Sequence, residues 1–186
     1  MRISFVPGAA GITINANPML DEPFLASFDG ILPDVRATAD HVTVDFPRSF
    51  HPDSTGYGGK VTLNATLPWA IEVRGGAARL DADLRVLPLT RLDLQGGADR
   101  VRVDLPAPAG ELVIHLAGGV SLSDFRRRPG VPARLTVVGG STRLRLGERA
   151  VVAAPPGTVL TDPGFDEAAD RYDIRVSGGA DRLTVD

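Results

Sequence analysis

Along much of the chain, short stretches carry an apolar side chain at every second position. Ile71 and Val73, Leu92 and Leu94, Ile114 and Leu116, Leu135 and Val137, and Ile174 and Val176 form five such stretches. Each runs into a glycine pair, at Gly75-Gly76, Gly96-Gly97, Gly118-Gly119, Gly139-Gly140 and Gly178-Gly179. After the pair the alternation resumes, with Leu80 in the first copy and then Val101 and Val103, Leu144 and Leu146, and Leu183 and Val185. Alternation with period two, bounded by glycine or proline, predicts short strands that bury one face. Each unit therefore reads as strand, glycine corner, strand. Glycine suits such a corner because it accepts positive φ and lets two backbones approach without a Cβ between them.

The first four pairs are 21, 22 and 21 residues apart, and the last gap is 39. Gly157 stands 21 residues before Gly178, so the segment Pro155-Pro156-Gly157 reads as a degenerate pair. A constant period with matching side-chain classes at matching offsets predicts an all-β chain, a β-solenoid of about 21-residue repeats. Roughly nine stacked periods, about 4.8 Å apart, would make a body on the order of 40 Å long. The competing reading is a β-sandwich in which Gly-Gly marks ordinary hairpin turns. Helix signals are sparse: 15 prolines and 21 glycines are spread along the chain, and only Phe165 to Tyr172 reads as a possible helical turn.

Before residue 55 the glycine spacing is irregular, yet Ile3 and Phe5, Ile12 and Ile14, and Val42, Val44 and Phe46 still alternate as strands do. Terminal repeats of a solenoid are commonly atypical because they cover an open core and an unpaired edge. The organisation expected is one domain over residues 1–186, with 1–54 forming degenerate repeats and a cap and 55–186 the regular repeats. A separate small β-domain at the amino end is the alternative.

The strings Trp69-Ala70-Ile71-Glu72-Val73-Arg74-Gly75-Gly76, Leu92-Asp93-Leu94-Gln95-Gly96-Gly97 and Tyr172-Asp173-Ile174-Arg175-Val176-Ser177-Gly178-Gly179-Ala180 resemble bacterial adhesin-like β-solenoid domains, and are similar to the toastrack-type modules of cell-wall-stress proteins. The resemblance extends over Val61 to Asp186. It implies an interaction or scaffold module of unknown function, with cell-surface association by analogy and no catalytic residues to carry over.

Composition narrows the function classes. A net charge of −3 lacks the basic excess of a phosphate-backbone binder, so nucleic acid is not an expected partner. With no cysteine, the chain has no disulfide, thiolate metal site or cysteine nucleophile. No apolar run approaches the roughly 18–20 residues of a membrane-spanning helix, and Met1 to Ala10 does not read as a secretory signal, so the expectation is cytoplasmic. Lys60 is the only lysine, against abundant Arg, Ala, Gly and Val, a bias typical of GC-rich bacterial genomes.

Aligned by their glycine pairs, the repeats place Arg79, Arg100, Arg143 and Arg182 at one offset. An arginine ladder of this kind would suit an anionic polymer or an acidic partner. Nearby Asp99 and Asp181 would instead make it an ordinary solvated face. Arg126, Arg127 and Arg128, in a loop that interrupts the third repeat, form a second candidate anion or partner face. Glu72, Asp93 and His115 also share an offset, but Thr136 and Arg175 follow them there, so the set does not read as a metal site. His41, His51 and His115 sit in different contexts, and no serine lies in a nucleophile elbow. Neither catalytic residues nor cofactors are assigned. The reading is a non-catalytic scaffold or partner-binding module, able to self-associate through its ends. A solenoid that binds or processes carbohydrate or an anionic polymer is the alternative, weakened by an aromatic content of only 5%. A small-molecule enzyme with a pocket in the amino-terminal half is the third.

Overall fold

The computed structural model describes residues 1–6, 9–30, 32–47 and 58–186. His51 and the boundary expected near Ser54 lie outside the described residues. Among these residues the secondary structure is entirely β. In chain order the strands are β1 (Arg2–Val6), β2 (Ala9–Asn17), β3 (Phe24–Asp29), β4 (Asp34–Ala37), β5 (His41–Asp45), β6 (Gly58–Asn64), β7 (Trp69–Arg74), β8 (Ala77–Asp83) and β9 (Leu89–Gln95). There follow β10 (Ala98–Asp104), β11 (Glu111–Ala117), β12 (Val120–Arg126), β13 (Ala133–Val137), β14 (Ser141–Leu146), β15 (Arg149–Ala154), β16 (Thr158–Thr161), β17 (Arg171–Val176) and β18 (Ala180–Val185).

These strands form two nine-stranded sheets. The first runs β16-β13-β17-β11-β9-β7-β1-β5-β4, and the second runs β15-β14-β18-β12-β10-β8-β2-β6-β3. From β5 to β14 the chain alternates between them, so β7 lies in the first sheet, β8 in the second, and β9 returns to pair in parallel with β7. One strand from each sheet makes a tier, and the tiers stack in register: Leu80 pairs with Val101, Val101 with Ser123, Ser123 with Leu183 and Leu183 with Leu144. Eight interstrand steps of about 4.8 Å span roughly 38 Å. The apolar alternation faces inward, and one cluster of buried residues runs from Ile3 to Val185 between the sheets. Ile3, Ile71, Leu92, Ile114, Ile174 and Leu135 form an inward column of the first sheet, each 1% exposed or less.

The glycine pairs are the corners between the sheets. The residue that follows each pair donates its N–H to the second glycine carbonyl of the next tier, in the sequence Ala77 to Gly97, Ala98 to Gly119, Val120 to Gly179 and Ala180 to Gly140. The pairing thus continues through the turn. Gly97 needs its glycine for conformation, with φ of +87°. Gly178 needs it for space: a Cβ there would sit 2.8 Å from Gly119 N and press on the Gly118 carbonyl.

Tier order departs from chain order at both ends. β1 and β2 do not lie at an end of the stack but between the β5/β6 and β7/β8 tiers, and β17/β18 sit between β11/β12 and β13/β14. The outermost tiers run backwards: β3 is antiparallel to β6, β4 to β5, β15 to β14 and β16 to β13. Pro155-Pro156-Gly157 is therefore not a degenerate forward corner; it joins the two strands of a reversed tier. The segment expected to form a helical turn makes one, with Ala168 N donating to Gly164 O, but Tyr172 belongs to β17.

Each inserted tier is bridged by a specific loop. Between β6 and β7 the chain steps over β2, with Ala65 N donating to Asn17 O, while the Asn64 side chain accepts from Thr66 N and Thr66 Oγ1 and donates to Leu20 O. Buried Trp69 donates Nε1–H to Asn64 O, which makes it a core residue that locks this bridge. Between β12 and β13 the loop after Arg126 steps over β18, and Arg127 N donates to Asp186 O. Tyr172 donates its hydroxyl to Pro106 O and accepts from Arg128 N.

Two outcomes test this packing. Gly178→Ala should lower stability by about 2 kcal/mol or more through overpacking, a drop in Tm of roughly 4–8 °C for a chain this long; an unchanged Tm would contradict the close approach. Ser123, buried at 4% exposure in the column of Val101 and Leu183, has no hydroxyl partner among the described residues. Ser123→Val should raise stability by about 1 kcal/mol, read by chemical denaturation.

Candidate functional site

The strand pairing turns outward-facing positions into columns. On the second sheet, one column reads Arg79, Arg100, Leu122, Arg182, Arg143, because β18 inserts before β14. Two residues further along the strands a second column reads Asp81, Arg102, Asp124, Thr184, Arg145, and a third begins Asp83, Asp104, Arg126. The four ladder arginines expected at one offset thus do share a face, with Leu122 interrupting them.

Acidic partners are distributed unevenly over this face. Arg79 pairs with Asp81 at 3.0 Å, Arg102 and Arg126 share Asp124 at 3.7 Å each, Arg126 also reaches Asp104 at 3.6 Å, and Arg145 pairs with Asp186. Among the described residues, Arg100, Arg143 and Arg182 form no ion pair, and neither Asp99 nor Asp181 supplies one. A shallow cleft of about 850 Å³ runs over the columns and includes Arg79, Arg100, Arg182 and Leu122. Its lining holds six arginines against three aspartates and no aromatic ring, a local net charge of +3 on a chain whose total is −3. Arginine in such a field presents planar donors suited to carboxylate, phosphate or sulfate groups.

The Arg126-Arg127-Arg128 run divides. Arg126 faces the cleft. Arg127 turns into the tier-bridging loop, where it donates to Val131 O at 2.6 Å and pairs with Asp162, whose carboxylate also accepts from Ala133 N at 3.0 Å. Its side chain is 15% exposed, so it is a structural clasp. Arg128 contributes its backbone N–H to Tyr172.

The outer face of the first sheet is a chain of satisfied polar groups. Its central column reads Ser4, Glu72, Asp93, His115, Arg175, Thr136. Glu72 accepts from Ser4 Oγ at 2.9 Å, from Arg74 and from Gln95. Burial pushes its pKa up, but the hydrogen bonds of Arg74 and Ser4 and the charges of Arg74 and Arg2 outweigh this and hold it below the ordinary range. Asp93 is held by Arg91. Buried Asp173 accepts from Arg134 at 3.0 Å and from Arg175, and these bonds overcome burial to depress its pKa. The carboxylates of Glu72 and Asp93 thus accept from neighbouring side chains, and the described residues contain no group of three ligands arranged for a metal.

Two contacts here were not legible in the sequence. His115 Nε2 lies 2.8 Å from Ser177 Oγ, with Asp93 3.8 Å from Nδ1, and His41 Nε2 lies 2.9 Å from Ser4 Oγ. They arise because inserted tiers make neighbours of residues 62 and 37 positions apart. Asp93 is committed to Arg91 rather than hydrogen-bonded to the imidazole, so the first set lacks the oriented base of a catalytic triad. Beside His41 the amino-terminal half carries a depression of about 430 Å³ lined by Met1, Arg2, Thr38, Asp40, His41 and Ala70. Phe165 packs under two guanidiniums on this sheet, 4.5 Å from Arg134 and 5.2 Å from Arg171.

No known family model matches the chain, and no curated protein matches it. Among solved structures, a candidate cell adhesion protein from Clostridium sporogenes superposes over all of this chain and 92% of its own length, with a TM-score of 0.64 at 12% identity. At that identity the likeness is one of fold. A candidate adhesin from Bacteroides fragilis aligns over all of this chain and 91% of its own, with a TM-score of 0.31 and 7% identity, too distant to extend the likeness. The adhesin-like resemblance read from the repeat strings is thus met at the level of the fold. Among the described residues no helix is long and apolar enough to cross a membrane.

The depressed pKa of Asp173 fixes the sign of an acid effect. Its contribution is complete above the unfolded carboxylate value of about 3.9 and is lost as pH falls through the lower folded value. Asp173→Asn should cost about 2 kcal/mol at neutral pH, and the gap to wild type should narrow as pH falls below about 3.9 and close once the folded carboxyl is itself protonated. Denaturant unfolding across that range measures it; a gap independent of pH would refute the assignment.

Proposed function

We propose that the chain is a single-domain, two-sheeted β-solenoid that serves as a non-catalytic interaction module, and that it binds an extended anionic partner along the outer face of its second sheet. The observation that carries this reading is the in-register arginine column in a cleft of about 850 Å³, where Arg100 and Arg182 have no carboxylate partner among the described residues. Charges left unpaired on a rigid sheet are poised to accept anionic groups without first breaking internal ion pairs, and the fixed backbone keeps the ordering cost of binding low. Leu122 gives the centre of the column an apolar contact. With no aromatic ring in the lining, recognition rests on charge rather than on sugar stacking, which favours an acidic protein segment or a carboxylate-bearing polymer. The structural neighbour described as a candidate cell adhesion protein shares the fold, and a module built for surface contact suits this chain too.

Fluorescence anisotropy with labelled poly-L-glutamate tests the reading. Wild type should bind at low ionic strength and release the probe as salt is raised. Arg100→Gln with Arg182→Gln should weaken binding tenfold or more, leaving thermal stability unchanged because neither side chain has a partner to lose. No binding at low salt, or binding indifferent to the double substitution, would overturn it.

A further inference from the structure

The two ends of the stack are built alike. Each is a reversed tier with one strand of 6 residues in the second sheet, β3 or β15, followed by one of 4 residues in the first, β4 or β16. β3 and β15 are each antiparallel to an otherwise parallel sheet, so they run in the same direction, and so do β4 and β16. Each closes its sheet, and among the described residues its outer side is unpaired. Unpaired strand edges template further pairing unless charge, proline or a bulge blunts them.

At the amino-terminal end, among the described residues, the core is also uncovered. Phe24, Ala26 and Phe28 face inward opposite Leu63, Val61 and Gly59 yet are only half-buried, and inward-facing Val35 is 37% exposed. At the other end Val151 is half-buried, and β15 bends at Ala153, whose φ is 52°, leaving Arg149 to Val152 and Thr158 to Leu160 available for pairing, while Thr161 O accepts from the Arg149 guanidinium. Charge selects among the ways two ends can meet. Among the described residues of β3, β4 and their flanking turns, Asp21, Glu22, Asp29, Asp34 and Asp40 stand against Arg36 alone, so two such ends would repel. Around its edge strands the other end carries Glu148, Arg149 and Asp162, the last paired with Arg127, so it is near neutral. Parallel pairing of β15 on β3 from their first residues sets Arg149 beside Phe24, and a near-neutral end then meets the acidic one without the repulsion of two amino-terminal ends.

We propose that copies of this chain associate head to tail, the β15/β16 edge of one copy extending the β3/β4 edge of the next. Both sheets then continue across the junction and the half-buried phenylalanines are covered. Because the two surfaces differ, the contact is heterologous and does not close on itself, so it produces linear oligomers rather than a terminal dimer. It uses the sheet edges and leaves the arginine face free, so stacking and polyglutamate binding succeed or fail separately.

Sedimentation velocity and electron microscopy on the full chain, from micromolar to millimolar concentration, test the proposal with two blocked variants. Val35→Lys places a charge in the open amino-terminal core, and Arg149→Glu with Val159→Glu makes the opposite edge acidic. Wild type should grow into linear species. Each variant alone should stay monomeric, and an equimolar mixture should form dimers and nothing longer, since it contains one intact edge of each kind. Circular dichroism melting shows that each variant is folded; Ala37→Lys, at an exposed inward-facing position of the same strand, replaces Val35→Lys should that variant unfold. A wild type that remains monomeric throughout overturns the proposal. So does dimerisation of either variant alone, which would mean like ends meet.

Discussion

Everything in this fold depends on backbone lying directly against backbone at the corners between the two sheets. Where a tier turns, the ladder of hydrogen bonds does not stop: Ala77, Ala98, Val120 and Ala180 each donate to a glycine carbonyl one tier away. That continuity requires the corner chains to approach as closely as strands do, and a Cβ on Gly139 would stand 2.6 Å from Gly178. Glycine is the side chain that permits it. Once the corners are stacked, the flanking strands have no freedom of register, because a slip of one residue would turn every inward valine and leucine outward. Leu80 over Val101 and Ile71 over Leu92 follow from the corners as much as from their own packing.

Fixed register has an electrostatic consequence. Outward positions become columns, and the two faces resolve their charges differently. On the first sheet carboxylates are shared: Asp173 serves both Arg134 and Arg175, and Glu72 serves Ser4, Arg74 and Gln95. That face satisfies itself. On the second sheet Arg100 and Arg182 stand in line without acids beside them among the described residues, in a cleft whose local charge opposes that of the chain as a whole. Exposed pairs contribute little to stability, so the difference between the faces matters more for what can bind than for what holds the fold.

The ends carry the opposite tension. A stack of parallel tiers must stop somewhere, and here it stops by reversal. The chain reaches each outermost tier, runs it backwards, and feeds a neighbouring tier into the gap left by a bridging loop. Arg127 with Asp162 at one end, and Asn64 with Trp69 at the other, hold those bridges. Reversal blunts an edge by removing the parallel template, yet it leaves main-chain groups and half-buried phenylalanines at the amino-terminal side.

The sequence by itself determined the strands, the corners and the inward face. The alternation of Ile114 with Leu116 and the spacing of the glycine pairs are local properties. It also determined that Arg79, Arg100, Arg143 and Arg182 would share an offset. The order of tiers was decided by tertiary structure alone. The tiers β7/β8, β9/β10, β11/β12, β13/β14 and β17/β18 present the same apolar columns and the same glycine corner, so any of them fits beside any other, and local pattern cannot say that β17/β18 enters between β12 and β14 or that the Pro155-Pro156-Gly157 tier runs backwards. The contacts of His115 with Ser177 and of Ser4 with His41 depend on that order. So does the place of Arg127, which reads as an exposed cation in a basic run and becomes a clasp only because its loop must step across an inserted tier.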